Sequence, residues 1–451
     1  MGTPVVLPSR TSIWIIALFA CILIFAVPGW AFGSSGGDDG GGGLGVILFA
    51  LVIILLAAKL GGHFTERIGQ PAVLGELIVG VILGNLYLLG FFYFELLKGH
   101  EAVHVMAEIG VILLLFEVGL ESTVSDMMKV GWSSLLVALF GIVTPFFLGW
   151  GVSAWLLPEH SIYVHLFIGA TLTATSVGIT ARVLKDMGRL QDKESRIILG
   201  AAVIDDVLGL VILAVVSGVI VAADRGGSGV STLSVLWIVA KAFLFLVGAI
   251  VIGGFLAPRI FNAAFRLRGT GVLLTIALIF CFGMALLAEL AGLASIVGAF
   301  AAGLILDKVH YRKFRERGEH ELEELLHPLA VFLTPIFFVE MGMNVDLKSF
   351  GQVDVLVFAG VLTLAAIIGK QAASFGVVEK GLNRFAVGLG MIPRGEVGLI
   401  FAAIGAKLFI NGERVVDASV YSAVVIMVIV TTMVTPPVLK IAMERSDKKR
   451  A

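Results

Sequence analysis

Charge is what this sequence has least of. Only 14% of its 451 residues are Asp, Glu, Lys or Arg, while 58% are hydrophobic and the mean hydropathy is +1.03. A soluble domain carries about 25% charged residues, so a water-soluble globular fold is excluded. Cysteine is scarcer still. Cys21 and Cys281 are the whole supply, which rules out a disulfide framework. A net charge of −1 gives no sign of an acidic or basic partner, and nothing points to nucleic acid. What the chain does have is glycine, 55 of them, which suits close helix packing and interrupted helices in a bilayer. It reads as an all-α polytopic membrane protein in contact with lipid.

The chain opens with Arg10, an apolar run from Ile13 to Val27 and small residues around Ala31 and Gly33, the pattern of a signal peptide over 1–33. An uncleaved first membrane helix is the rival. Residues 34–43 form a Gly-rich linker holding Asp38 and Asp39. Thirteen apolar segments follow, near 44–60, 71–89, 102–120, 131–157, 163–184, 195–221, 232–257, 270–288, 291–307, 326–343, 351–378, 383–409 and 418–440. Each approaches the ~20 residues that a spanning helix needs. Residues 441–451 are expected to be a cytoplasmic tail.

Basic residues fix an expected orientation. If segment 1 starts outside, the inner loops and tail hold 23 Lys and Arg and the outer loops hold Lys98, Arg225, Lys348 and Arg414. That asymmetry follows the positive-inside rule. It puts the N-terminus outside after signal cleavage and the C-terminus in the cytoplasm, in the inner (plasma) membrane.

Segments 1–6 and 8–13 form two sets of six around segment 7. With one span between them the second set starts from the opposite face, an inverted repeat of the kind found in secondary transporters. The fifth members of the two sets carry matching irregularities. Segment 5 holds Thr171, Thr173, Thr175, Ser176 and Thr180; segment 12 holds Gly388, Gly390, Pro393, Gly395 and Gly398. Both are expected to be broken helices whose ends and free carbonyls face the centre. A proline kink with Ser/Thr back-bonding is the alternative.

Asp205 and Asp206 stand in the middle of segment 6. An ionisable group at mid-bilayer costs about 2.5 to 3.5 kcal/mol and marks an ion or proton pathway by default. Lys370 lies inside segment 11 and needs a carboxylate partner, Asp205 or Asp206, unless it snorkels to the inner interface. Arg394 and Glu396, two apart, are expected to neutralise the half-helix ends of segment 12. Glu76 and Glu117 read as interface residues, and the inner loop 307–327, with His310, His320 and His327, reads as a solvated amphipathic helix or a pH sensor.

In order along the chain stand Gly69-Gln70-Pro71-Ala72-Val73-Leu74-Gly75-Glu76, Leu115-Phe116-Glu117-Val118-Gly119-Leu120-Glu121, Thr173-Ala174-Thr175-Ser176-Val177-Gly178, Asp205-Asp206, Phe337-Phe338-Val339-Glu340-Met341-Gly342-Met343, Lys370 and Pro393-Arg394-Gly395-Glu396. With these the chain resembles the cation/proton antiporters, in the branch holding bacterial sodium/proton antiporters and potassium efflux systems, over about residues 44–440. The resemblance implies that Asp206 is the main cation ligand and proton carrier and that Asp205 pairs with Lys370. It implies crossed breaks in segments 5 and 12, a mobile core of segments 4–6 and 11–13, and a homodimer scaffold of segments 1–3 and 8–10. Potassium efflux relatives often add a nucleotide-sensing domain that is not present here, and some replace the first aspartate; both departures favour sodium. Glu340 stands where small or polar residues are usual, without an evident reason.

The residues fit that chemistry. Na⁺ and Li⁺ are hard cations that take oxygen ligands, available from Asp206, Asp205, the Thr175 and Ser176 hydroxyls and unwound carbonyls. Carboxylates also bind protons, so competition at one site couples the two gradients without a cofactor or a catalytic residue. The expected exchange is electrogenic, two protons for one Na⁺, if Lys370 gives up its proton when a cation enters. K⁺/H⁺ antiport and sodium-coupled symport of an organic anion are the alternatives. An intramembrane aspartyl protease is excluded, because adjacent residues on one helix point about 100° apart and cannot share a proton.

Overall fold

The computed structural model describes residues 44–450, apart from 91–97, 99, 122–130, 190, 227–231, 268, 270, 307–310, 313, 315, 316, 318 and 411. The expected signal peptide, the linker and His310 therefore lie outside the described residues. The first helices are α1 (Leu44–Arg67), α2 (Ala72–Asn85), α3 (Glu101–Glu121), α4 (Trp132–Leu156), α5 (Ile162–Thr173), α6 (Val177–Asp186) and α7 (Lys193–Gly226). Next come α8 (Thr232–Gly248), a π-helical turn (Ala249–Gly253) and α9 (Gly254–Ala264), continuous with one another. The chain then forms α10 (Val272–Leu290), α11 (Ser295–Ile305), α12 (Leu322–Met343), α13 (Val353–Gln371), α14 (Arg384–Gly390), α15 (Glu396–Lys407) and α16 (Ala418–Arg450).

Ten helical runs are long and apolar enough to cross a membrane, and three shorter apolar helices, Ile162–Thr173, Ser295–Ile305 and Val397–Lys407, accompany them among the described residues. Their outward faces are apolar: Leu244, Phe255 and Leu290 are more than 60% exposed, as a lipid-facing surface requires.

Two details depart from the sequence reading. A two-stranded antiparallel ribbon pairs β1 (Phe409–Ile410) with β2 (Glu413–Arg414). The Asn411-Gly412 dipeptide between them is a strong hairpin signal, and Gly412 has φ +84°. Helix α16 also continues to Arg450, through Pro436 and Pro437 and past the expected start of the tail. The charged residues beyond Lys440 are good helix formers and no breaker stops the helix.

Packing sorts the helices into two groups. In one, α1 packs on α2, α2 and α3 pack on α12, and α11 packs on α3 and α10. In the other, α4 packs on α5, α7 and α13, and α16 on α13, α14 and α15. Helix α8 lies against α7, while the π turn and α9 lie against α11 and α10. The first group is held by backbone-to-backbone approach. A Cβ at Gly303 would stand 2.3 Å from the Phe116 carbonyl oxygen, and one at Gly119 would stand 2.4 Å from that of Phe300. Small residues at such crossings are how helices gain contact in a solvent as apolar as their own side chains.

Gly303→Ala is therefore expected to destabilise by about 1–3 kcal/mol through overpacking. Gly360→Ala, where an added Cβ meets nothing within 4 Å, should be neutral or stabilise by up to ~1 kcal/mol. Thermal unfolding of both variants in detergent makes the comparison; equal shifts would refute the close crossing.

Candidate functional site

Two helical runs of the second group are interrupted where they meet. The first stops at Thr173 and resumes at Val177; the second stops at Gly390 and resumes at Glu396. Local chemistry explains both gaps. The Thr171 and Thr173 hydroxyls turn back on the Phe167 and Ala170 carbonyls at 2.9 and 2.7 Å, which loosens the ladder ahead of them. Ala174 is then extended, with φ −57° and ψ 142°. In the second run Pro393 has no N–H to donate.

The gaps bond each other. The Ser176 N–H donates to the Pro393 carbonyl at 2.8 Å, and the Thr180 hydroxyl donates to the Gly390 carbonyl at 2.7 Å. Gly395 permits the approach, since a Cβ there would lie 2.7 Å from Ser176 Oγ.

Two buried cations cover the carbonyl end of α5. Lys370 Nζ donates to the Thr173 carbonyl at 2.6 Å and to Asp205 at 2.9 Å (Oδ1) and 3.2 Å (Oδ2). Arg394 donates from Nη1 to the Ala174 carbonyl and from Nη2 to the Ala366 carbonyl at 3.5 Å. Both side chains are fully buried, so Lys370 does not reach the interface. A helix C-terminus carries partial negative charge, which favours cations there. The Lys370–Asp205 ion pair is closed to solvent on both sides.

Asp206 is different. It follows Asp205 on α7, turned about 100° around the helix axis, and it is only half-buried, within the electrostatic reach of Lys370. Ser176 is fully buried beside the gap. The Thr175 hydroxyl is buried near Asp205, and its oxygen makes no hydrogen bond of standard geometry. Among the described residues no three His, Cys, Asp or Glu side chains gather as a metal-binding group. A cation held here would depend on Asp206 with hydroxyl and carbonyl oxygens, and on Asp205 only if Lys370 let it go. Glu396 begins α15; its side chain lies outside the described residues.

Other singled-out residues take definite places. Glu340 is buried near the end of α12, and its Oε1 lies 2.7 Å from His104 Nδ1. This pairing gives the unexplained charge a partner. Glu76 is buried in the second turn of α2. Glu117, His320, Glu323, Glu324, Leu325 and His327 line a cavity of about 610 Å³, so His320 and, in the second turn of α12, His327 face an acidic mouth.

Comparison with known proteins adds a decisive match: the family model described as "Sodium/hydrogen exchanger, transmembrane" covers residues 47–445. This chain belongs to the sodium/hydrogen exchanger family. The high-affinity Na⁺/H⁺ antiporter NhaS3 of Synechocystis is 38% identical over 436 residues, covering 88% of this chain and 89% of the relative. The Na⁺/H⁺–K⁺ antiporter GerN of Bacillus cereus is 35% identical over 398 residues, covering 87% and 95%. The solved structure of the sodium/proton antiporter MjNhaP1 from Methanocaldococcus jannaschii superposes with a TM-score of 0.65 at 16% identity, covering 89% of this chain and 98% of that one. Members of this exchanger family are transporters, not enzymes.

Removing one partner of a buried ion pair typically costs 3–5 kcal/mol, because a charge is left uncompensated. Lys370→Met is expected to destabilise by about that much, and Lys370→Met/Asp205→Leu should recover a good part of it. Unfolding of the single and double variants in detergent would show the recovery; additive losses would mean that the two side chains are not coupled.

Proposed function

We propose that the chain exchanges Na⁺ for protons across the membrane, with Asp206 holding either ion. One observation carries the reading: a half-open carboxylate beside a closed Asp205–Lys370 pair, at the contact of two interrupted helices. A carboxylate neutralises one proton or one cation but not both, and that competition couples the two movements. The Thr175 and Ser176 oxygens complete the ligand set, with Arg394 and Glu396 neutralising the helix ends.

The rest of the proposal concerns the machine around the site. Thirteen spans form two inverted six-helix repeats, α1–α7 and α10–α16, on either side of α8–α9. The group α4–α7 with α13–α16 moves as the ion-carrying core, and α1–α3 with α10–α12 forms the frame of a homodimer. The basic loops face the cytoplasm in the plasma membrane, and the acidic mouth at Glu117 opens on that side.

A second reading, K⁺ in place of Na⁺, draws support from the name of the 35% identical relative, a Na⁺/H⁺–K⁺ antiporter. Exchange in proteoliposomes with Na⁺, Li⁺ and K⁺ in turn separates the two.

Asp206→Asn is expected to reduce Na⁺-driven proton movement to the level of empty liposomes while leaving a folded protein. Robust exchange in that variant would overturn the assignment.

The stoichiometry follows from counting charge. The proton-loaded site has neutral Asp206 and an ionised Asp205–Lys370 pair, for no net charge. The Na⁺-loaded site has two ionised carboxylates, one Na⁺ and neutral Lys370, because an unpaired buried ammonium is costly. It carries one negative charge, and the two states differ by two protons. A membrane potential then does work on the cycle, about 2.3 kcal/mol per charge per 100 mV. With a valinomycin-clamped potential and no starting Na⁺ or pH gradient, Na⁺ should move toward the positive side. No voltage-driven flux, in a preparation that exchanges under a pH gradient, would mean that Lys370 keeps its proton.

A further inference from the structure

A chain of four ionisable side chains joins the two helix groups at the end of the molecule away from the acidic mouth. Glu340 on α12 accepts from or donates to His104 Nδ1 on α3 at 2.7 Å, depending on where the proton lies. His104 Nε2 lies 3.5 Å from Glu108 Oε1, one turn further along α3. The same Glu108 oxygen pairs with Lys407, the last residue of α15. The first three residues belong to the α1–α3/α10–α12 group and the fourth to the other group. Two more bonds cross the same seam: the Tyr421 hydroxyl donates to the Met341 carbonyl at 3.0 Å, and the Asp346 N–H donates to Ser422 Oγ at 3.3 Å.

Helix α15 runs from the interrupted stretch at Gly395 to Lys407. Its 12 residues make a rod of about 18 Å at 1.5 Å per residue. One end of the rod is at the candidate site and the other is tied to Glu108. Any rigid displacement of the site relative to α3 therefore has to break the Lys407–Glu108 pair or drag Glu108 with it. Glu108 is not free to follow, because its helix is pinned by His104 to the buried carboxylate of Glu340. Lys407 and Glu108 are about half exposed, so the bond between them is weak and breakable. By contrast, the Lys370–Asp205 pair is sealed.

We propose that Lys407–Glu108, backed by His104 and Glu340, is a latch that holds the outer face closed in this conformation and opens when the core moves. The proposal rests on the reading above, in which α4–α7 with α13–α16 moves against α1–α3 with α10–α12, and adds a part to it. Its strength follows from its exposure: a pair of this kind biases two states by about 1.4- to 5-fold, enough to set a resting preference without stalling the cycle.

The test reads accessibility, not transport. In a Cys21→Ser/Cys281→Ser background, Asp206→Cys provides a thiol at the site. A membrane-impermeant maleimide is added from the outer side of right-side-out vesicles, and from the other side in inverted ones. Lys407→Gln and Glu108→Gln should each speed outer labelling by about 1.4- to 5-fold, and the double substitution should speed it no further. The charge-reversed pair Glu108→Lys/Lys407→Glu should return labelling to the slow rate, which also shows that the variants fold. Equal outer labelling in all variants, or additive effects of the two neutralisations, overturns the latch. Faster labelling in the variants, with no Na⁺-driven proton movement in the unmodified protein, would uphold the latch and count instead against the exchange reading.

Discussion

The carbonyl end of α5 is the constraint from which the rest of the structure follows. Within a bilayer no water is available to satisfy backbone groups that a broken helix sets free. Here the Thr173 and Ala174 carbonyls are taken by Lys370 and Arg394, and Gly390 by the Thr180 hydroxyl. Two buried cations then demand anions, and Asp205 answers Lys370 directly. The charges are present because the helix is broken, and the break is tolerable because the charges are present.

Under the proposed exchange Lys370 has two duties, closing a helix end and giving up its proton when a cation enters. The chemistry of an amine reconciles them. An ammonium has three N–H donors; the neutral amine keeps two. The Thr173 carbonyl can keep its donor in either protonation state, whether or not Asp205 stays bonded to Nζ. The backbone therefore need not come apart when the charge at the site changes.

The parts of this site that sequence made legible are those where a rare residue stands in a long apolar run. Asp205, Asp206, Lys370 and Arg394 are conspicuous because charge is so scarce around them. The gaps at 174–176 and 391–395 were signalled by clustered threonines and by Pro393 among glycines. What could not be read was partnership across distance. Glu340 meets His104, 236 positions away, and Lys407 meets Glu108 at a separation of 299. No local pattern encodes either meeting, because each depends on how two helix groups dock. Thr180 is similar: its hydroxyl caps a carbonyl 210 positions away. The β ribbon did carry a local signal, Asn411-Gly412, but it lay at the edge of an apolar segment whose hydrophobicity dominated the reading.

The π-helical turn at Ala249–Gly253 has a geometric consequence for the run that contains it. One additional residue in a helical turn rotates everything beyond it by about 100° around the axis. Before the turn, Ile238 on α8 faces Gly218 of α7; at the turn, Gly253 faces Ile305 of α11. The run thus behaves like a shaft with an offset keyway. It presents one face to α7 and a differently clocked face to α10 and α11, so each neighbour engages it at its own angle. A twist at the offset would change the angle between α7 and the α10–α11 pair with little change in the length of the run that joins them.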